Sequence, residues 1–308
     1  MDEPNGDMSL INLGQLTKPA TTLIEKVSDA IGGIAKPWQI TRVASAEAKA
    51  ELIRLESKIK LSDIERRALQ RMVREEGKKQ KNIESITNNA ITSLLPDSKP
   101  EEIKEDWLLH FFDQGKLISN LDLQLLWGSL LAGEANKPGS ISKKTVSLVA
   151  AMDAEDARLF VRFCKFVWKK DETRVLVLPD LESEMFQEAQ IGILGIDHMV
   201  DLGMLRYRNQ FVSFAARERW EASYFDQRVV INFNSEGRSL YIGPHIFTRA
   251  GEELAGICIG EPSQEYFQWI TRLWSGDDGV LHLSSPDTPE DAHLGEHFQR
   301  SGVIGPKS

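Results

Sequence analysis

The feature that most constrains the fold is a predicted helix within residues 101–139 that is apolar nearly all round. It follows a shorter segment that is also rich in Trp, Phe and Leu. A helix without a polar face has to be buried on all sides. We therefore expect residues 101–134 to form the centre of the fold. Its predicted core contains the aromatic residues Trp107, Phe111, Phe112 and Trp127.

A long helical arm is predicted to precede this core. Residues 41–95 are rich in Ala, Glu, Lys, Arg, Leu and Ile and contain no proline, which is typical of continuous helix. A capping-box sequence, Ser62-x-x-Glu65, predicts a division of the arm near Leu61. The apolar positions, which after the division begin with Leu69, Met72 and Val73, resemble one thin coiled-coil seam that the segment EEGKKQKN interrupts. One such seam cannot stabilise a lone helix. We expect the arm to pack on itself, on the body or on a second copy, and we favour a homo-oligomer.

The second part of the arm carries a run of positive charge that could contact the phosphates of nucleic acid or lipid. More often such a run is a solvated helix face with local Glu–Lys pairs, and we favour that interpretation. The net charge of −9 argues against a general affinity of the chain for nucleic acid. The basic residues of the run are Arg66, Arg67, Arg71, Arg74, Lys78, Lys79 and Lys81.

An amphipathic helix is predicted before the arm, opened by Pro19 in its first turn and ended or kinked at Pro37. Its apolar residues fall within an arc of roughly 100°. The opposite face carries two acids and two lysines, so it lacks the basic bias that anionic lipid favours. We favour docking against the body or a second subunit over membrane contact. The stripe consists of Leu23, Ile24, Val27, Ile31, Ile34 and Trp38.

Residues 171–274 follow the pattern of a winged-helix module. A helix stopped by Gly203 leads into two short alternating strands, a second hairpin is predicted from 229–234 and 239–243, and Thr248 caps the next helix. In such a module the first helix is the recognition helix and a hairpin is the wing. The candidate phosphate contacts are Arg206, Arg208, Arg217 and Arg219.

Electrostatics disfavour DNA as the partner of this module. The candidate recognition helix carries Asp197 and Asp201 but no Arg or Lys. Residues 153–274 contain 14 basic against 19 acidic side chains. A packing or dimerisation role is therefore the favoured interpretation, and a DNA-binding regulator is the alternative.

The chain has no convincing catalytic or metal-binding pattern. It lacks a phosphate-binding loop with Lys-Ser/Thr, the HExxH pair and zinc-type cysteine spacing. His293 and His297 have helical spacing, but they lie in the predicted tail without a third ligand. Asp106 and Asp113 are expected to bracket helix ends or to pair with the arginines of the arm. We therefore predict no cofactor, no metal and no enzymatic activity.

The predicted organisation is mainly α-helical, with a long N-terminal arm, a compact helical core and a C-terminal α+β module. Two cysteines, the absence of a leader-like segment and the absence of a long apolar run predict a cytoplasmic protein, with peripheral membrane contact as an alternative. The expected divisions are a flexible terminus at 1–18, helices at 19–95, the core at 96–170, the module at 171–274 and a disordered acidic tail at 275–308.

Several segments resemble a bacterial family known as domain of unknown function 2806. They include LTKPATTLIEKVSDAIG, QKNIESI, LQLLWGSLLAGEANKPGSIS, DAEDARLF and FTRAGEEL, and the resemblance covers about residues 12–274. Its signatures are structural and imply no catalytic residues. The LW-x-x-LLAGE segment is also similar to the abortive-infection alpha family, which implies at most a place in bacterial defence against phage.

Together these observations predict a non-enzymatic, oligomeric interaction protein of bacteria. It would act through a partner protein or a membrane surface, in the setting of phage defence that the second resemblance implies. A winged-helix DNA-binding regulator is the alternative.

Overall fold

The computed structural model describes residues 17–31, 62–214, 219–233, 238–258, 260–275 and 279–284. Within them the chain is mainly α-helical, as predicted, and it carries small antiparallel sheets. The helices are α1 Lys18–Ile31, α2 Asp63–Ile91, α3 Glu105–Gly115, α4 Leu121–Asn136, α5 Lys143–Ala150, α6 Ala154–Cys164, α7 Glu184–Glu188, α8 Ile193–Asp201, α9 Arg249–Ala255 and α10 Gln264–Ser275. The strands are β1 Val167–Lys170, β2 Thr173–Leu176, β3 Leu205–Phe214, β4 Arg219–Tyr224, β5 Gln227–Phe233, β6 Arg238–Phe247 and β7 Gly279–Ser284.

Helix α4 lies at the centre of the helical half, as its lack of a polar face predicts. Asn120 caps it by accepting a hydrogen bond from the Leu123 N–H. Trp127 is fully buried, and its ring centroid lies 4.9 Å from that of Phe111 on α3. Trp107 anchors α3 to the loop between α4 and α5, because its indole N–H donates to the Ile141 carbonyl at 2.8 Å. The predicted aromatic core is confirmed.

Helix α2 begins where its capping box predicts. The Ser62 hydroxyl accepts from the Glu65 N–H, and the Glu65 carboxylate accepts from the Ser62 N–H at 2.8 Å. The helix ends at Ile91 rather than at the predicted residue 95, and the arm before Ser62 lies outside the described residues.

The C-terminal half of α2 crosses α4 at close range. A Cβ added to Gly128 would lie 2.5 Å from the Asn89 Cβ, so only glycine allows this approach. A buried polar junction secures the crossing. The Asn82 amide donates to the Lys116 carbonyl at 2.9 Å, and the Gln124 amide donates to the Asn82 side-chain oxygen at 3.2 Å. These contacts fix the direction of α2 relative to the core.

The described strands form two sheets built around a nested ribbon. Strand β3 pairs with β6, and β4 pairs with β5 between them, so the chain folds as one long antiparallel hairpin. The β4–β5 end of that hairpin belongs to a five-stranded sheet of order β2-β1-β4-β5-β7, and β3 and β6 form a separate two-stranded sheet. A turn at Phe225, whose φ is +51°, closes the hairpin.

Three predictions for this region are wrong. The predicted hairpin of 229–234 with 239–243 does not form, because β5 pairs with β4 and β7 whereas β6 pairs with β3. The two short strands predicted within 205–214 are the single strand β3. The helix predicted to reach residue 168 stops at Cys164, since Val167–Lys170 pairs with β2 instead.

The tail predicted to be disordered contributes a strand. Residues 279–284, GVLHLS, form β7 on the edge of the five-stranded sheet beside β5. The segment alternates Val280, His282 and Ser284 with Leu281 and Leu283, which is a pattern of period two. Its Gly-, Ser- and Asp-rich flanks dominate the composition and conceal this short strand from a compositional argument.

Candidate functional site

The surface that stands out is the free N-terminal half of α2, residues 63–81, which projects from the body. Burial on this helix begins at Asn82 and continues through Ile83, Ile86, Thr87 and Ala90. Before Asn82 no residue of the helix is buried. Among the described residues, contacts with the body therefore hold the free half at one end only.

An apolar stripe runs along this free half in line with the buried face of α2. At about 100° per residue, its members centre on the same direction as Ile83, Ile86 and Ala90. Ile64 is 71% exposed and Met72 is 61% exposed. The docking face of α2 is thus interrupted past the core by the Lys79–Glu76 ion pair at 2.6 Å and then becomes apolar again, where nothing among the described residues covers Ile64 or Met72. We call this set the free stripe: Ile64, Ala68, Leu69, Met72 and Val73.

The free stripe was only partly predicted. Leu69, Met72 and Val73 belong to the seam expected from the sequence, whereas Ile64 and Ala68 were not singled out. The signal that could have found them is the four-residue spacing of Ile64, Ala68 and Met72, which places the three on one helix face.

The predicted stripe of the N-terminal helix lies on the body of the chain. Leu23 and Val27 are fully buried where α1 packs on α3 and on the turn before it, and Ile24 and Ile31 are half-buried. The Lys26 ammonium donates to the Glu101 carbonyl of that turn at 3.2 Å. Of the partners predicted for this stripe, the body of the chain itself covers Leu23 and Val27. The remaining predicted members, Ile34 and Trp38, lie outside the described residues.

The structure separates the four predicted phosphate contacts. Arg206 and Arg208 are exposed on β3, while Arg219 lies in β4 of the other sheet and Arg217 lies outside the described residues. Burial lowers the pKa of His245 on the neighbouring strand, against the raising effect of Asp197. His245 is therefore neutral at pH 7 and adds no positive charge to this strand pair.

A second surface is a cleft of about 590 Å³ between α4 and α9. Its carboxylate Glu253 accepts hydrogen bonds from the Ser142 N–H at 2.7 Å and the Thr145 hydroxyl at 2.5 Å. The Arg249 guanidinium donates to the other oxygen of Glu253 at 2.7 Å. Burial raises the pKa of Glu253, but these hydrogen bonds outweigh it and lower the pKa overall.

An ionised Glu253 at the N-terminus of α5 stabilises that helix and ties α9 to it. The Arg174 guanidinium donates to the Gly256 carbonyl at 3.3 Å, which is a contact within the C-terminal module. Glu253 therefore joins the helical core to that module, and the described lining of the cleft contains no His or Cys that could act as base or nucleophile. Sequence arguments missed these residues because they come from distant segments.

Asp106 and Asp113 lie near the two ends of α3, as predicted, but they pair with lysines and not with the arginines of the arm. Asp106 accepts from the Lys143 ammonium at 2.7 Å, which lowers the pKa of Asp106. Asp113 accepts from Lys116 at 2.7 Å. Glu134 is buried and accepts from the Gly139 and Ile141 N–H groups, so it shapes the loop after α4. Burial raises the pKa of Glu134 despite those hydrogen bonds.

Comparison with known proteins gives one match. A family model described as Protein of unknown function (DUF2806) matches residues 66–271. No curated protein and no solved structure matches the chain. Among the described residues, no group of three or more acidic, His or Cys side chains is arranged to hold a metal ion. None of the helices in the same part of the chain has the length and apolar character needed to cross a membrane.

Proposed function

The chain belongs to the family described as Protein of unknown function (DUF2806), which assigns it no activity. From its geometry we propose that it is a non-enzymatic interaction protein that forms homo-oligomers. The observation that carries this proposal is the free stripe of α2. An apolar face of Ile64, Leu69 and Met72 on a helix held at one end favours association, because covering it removes apolar surface from water.

A second copy of the same helix is the occupant that suits the free stripe best. The stripe points in the same direction as the face that α2 already uses to pack on a helix, beyond the Lys79–Glu76 ion pair, so an apolar helix–helix contact suits it. Two-fold pairing also requires a self-complementary surface. The free stripe is flanked by Glu65 near one end and Lys79 near the other. An antiparallel pair centred on Met72 brings Lys79 opposite the partner's Glu65.

Replacing Met72 with glutamate is expected to disrupt the oligomer. The wild-type chain should have a mass that is a multiple of 34.7 kDa at micromolar concentration, and Met72→Glu should return it to 34.7 kDa. A charge in the middle of a desolvated helix contact has no partner and costs several kcal/mol. Size-exclusion chromatography with light scattering measures both masses.

The matched control for this test is Gln70→Glu. Gln70 is also exposed on the free half of α2, but it lies on the opposite face from the free stripe. The same charge at that position should leave the mass unchanged. A monomeric wild-type chain at tens of micromolar, or an equal effect of both variants, would refute the proposal.

A second candidate function is DNA binding by a winged-helix-type module. In its favour, α8 leads directly into the β3–β6 ribbon, and the Leu178 N–H donates to the Ile242 carbonyl at 2.9 Å beside that ribbon. Against it stand Asp197 and Asp201 on α8. If this candidate is right, Arg206→Glu with Arg208→Glu should abolish salt-dependent binding to duplex DNA. Unchanged binding by that double variant would exclude it.

The cellular location and the biological process proposed for the protein are supported by features outside the free stripe. Two free thiols, Cys164 and Cys258, support a cytoplasmic location, where thiols stay reduced. Phage defence is supported only by the resemblance of the LW-x-x-LLAGE segment. Membrane contact would have to involve residues other than Leu23 and Val27, which the body of the chain buries.

A further inference from the structure

The free half of α2 carries a second feature on the face opposite the free stripe. Five cations follow one another at spacings of four, three, four and three residues, which keeps them within about 80° of the helix circumference. All five are exposed. The row is about 21 Å long at 1.5 Å per residue. We call it the basic ridge: Arg67, Arg71, Arg74, Lys78 and Lys81.

Local ion pairs account for only part of the basic ridge. Arg67 pairs with Asp63 at 3.3 Å, and Arg71 pairs with Glu75 at 3.8 Å. In the described part of the chain, Arg74, Lys78 and Lys81 have no ion-pair partner. The acids Glu65 and Glu76 lie on the side of the free stripe and do not neutralise the ridge. The sequence favoured a solvated helix face whose cations form local ion pairs. This interpretation holds for Arg67 and Arg71, which are two of the five cations of the ridge.

The position of the ridge selects the kind of anion that fits it. A helix that lies on an anionic membrane has its cations beside the apolar face, so that both reach the lipid. Here the ridge points almost directly away from the free stripe, and one flat surface cannot contact both. A straight row of charges matches a linear polyanion, and a duplex presents about six phosphates per strand along 21 Å.

We propose that the basic ridge binds the phosphate backbone of duplex DNA, with the free half of α2 in the major groove. The B-form major groove admits an α-helix, whereas the deep, narrow groove of A-form RNA does not. No residue of α2 before Asn82 is buried, which leaves this half free to enter a groove. The proposal does not depend on self-association, because the ridge and the free stripe lie on opposite faces. It also differs from binding through β3 in the residues that it requires.

The test is the affinity of the full-length protein for a labelled 20-base-pair DNA duplex, measured by fluorescence anisotropy over a series of salt concentrations. The wild-type chain should bind, with an affinity that falls as salt rises. Arg74→Glu with Lys78→Glu should raise Kd at least about tenfold at low salt and reduce the log–log salt slope by about two. Both residues are exposed and unpaired, so their replacement leaves the fold intact, which circular dichroism verifies.

A matched control variant is Lys144→Glu with Lys169→Glu, which reverses two exposed cations outside the ridge. It should bind the duplex with the wild-type salt slope. Absence of wild-type binding at low salt, or equal loss of affinity in both double variants, would overturn the proposal. So would loss of binding only in the Arg206→Glu, Arg208→Glu variant, which would move the contact to β3.

Further measurements distinguish DNA binding by the ridge from RNA binding, membrane contact and self-association. An RNA duplex of the same sequence should bind more weakly, and equal affinity would refute docking in the groove. Vesicles containing anionic lipid should not bind through the ridge, and ridge-dependent vesicle binding without DNA binding would replace the proposal by a membrane contact. Light scattering of the ridge variant should give the wild-type mass, so that a failure here is distinguishable from a failure of the oligomer proposal.

Discussion

Replacing Trp127 with alanine is expected to destabilise the protein by about 3–5 kcal/mol, which is most of the stability of an ordinary domain. The indole is fully buried at the centre of the helical half and lies 4.9 Å, centroid to centroid, from Phe111. Its six-membered ring also lies at the spot where a Cβ on Gly115 would approach within 3.0 Å. The cavity left by alanine therefore opens between three helices that cannot close around it.

Two variants of α4 serve as controls for Trp127→Ala. The Trp127 indole N–H has no hydrogen-bond partner in the described structure, so Trp127→Phe removes no bond and should cost clearly less than alanine. Leu125→Ala on the exposed side of the same helix should change stability by about 0.5 kcal/mol or less. Urea unfolding followed by circular dichroism gives all three values. A cooperatively folded Trp127→Ala protein of near wild-type stability would contradict the assignment of the core.

Replacing Gly251 with alanine is expected to destabilise the C-terminal module by about 3 kcal/mol or more. A Cβ at this position would lie 2.1 Å from the Met204 carbonyl oxygen and 2.9 Å from the Phe247 ring. The oxygen is backbone and cannot move aside. The Thr248 hydroxyl holds the same contact by donating to the Gly203 carbonyl at 2.6 Å, so α9 is pinned to the turn after α8.

The matched control for Gly251→Ala is Gly77→Ala. Gly77 lies inside the free half of α2, and an added Cβ there meets nothing within 4 Å. Alanine should stabilise that helix by roughly 1 kcal/mol, because it loses less backbone entropy than glycine on forming a helix. Thermal unfolding monitored by circular dichroism compares the two variants. Similar small effects of both would show that α9 is not packed backbone to backbone.

Helix ends could be predicted from the sequence because their signals are local. The capping box at Ser62, the Thr248 cap and the stop at Gly203 each depend on residues within one turn of each other, and the structure confirms all three. The core followed from α4, whose lack of a polar face permits only burial.

The strands could be located but not paired. Residues 229–234 and 239–243 are neighbours in sequence with alternating side chains, so a hairpin was the economical prediction. In the structure β5 and β6 do not pair with each other. Strand β5 pairs with β4 and strand β6 pairs with β3, and both partners precede them in the chain. The β4–β5 pair is a local hairpin, whereas the pairing of β6 with β3 is decided by contacts between distant segments, for which a single sequence carries no local signal.

The candidate site could be predicted only in part, because its exposure depends on contacts with distant segments. The apolar seam of α2 could be read from the sequence, but its buried and free parts have the same period and similar residues. Only the position of the core decides that Ile86 is covered whereas Met72 is exposed. Once the exposed half of α2 is identified, the helix period places the basic ridge and the free stripe on opposite faces of it.

The glycine at the α2–α4 crossing has a mechanical consequence for everything at the far end of the arm. The part of α2 from Asn89 back to Ser62 is a lever of about 40 Å, and its fulcrum is the contact of Gly128 with Asn89. A change of about 10° in the crossing angle swings the tip at Ser62 by roughly 7 Å. A side chain at position 128 would therefore re-aim the arm as well as strain the core. In the proposed pair, the distance and tilt between the two bodies would depend on a residue that lies outside the free half of α2.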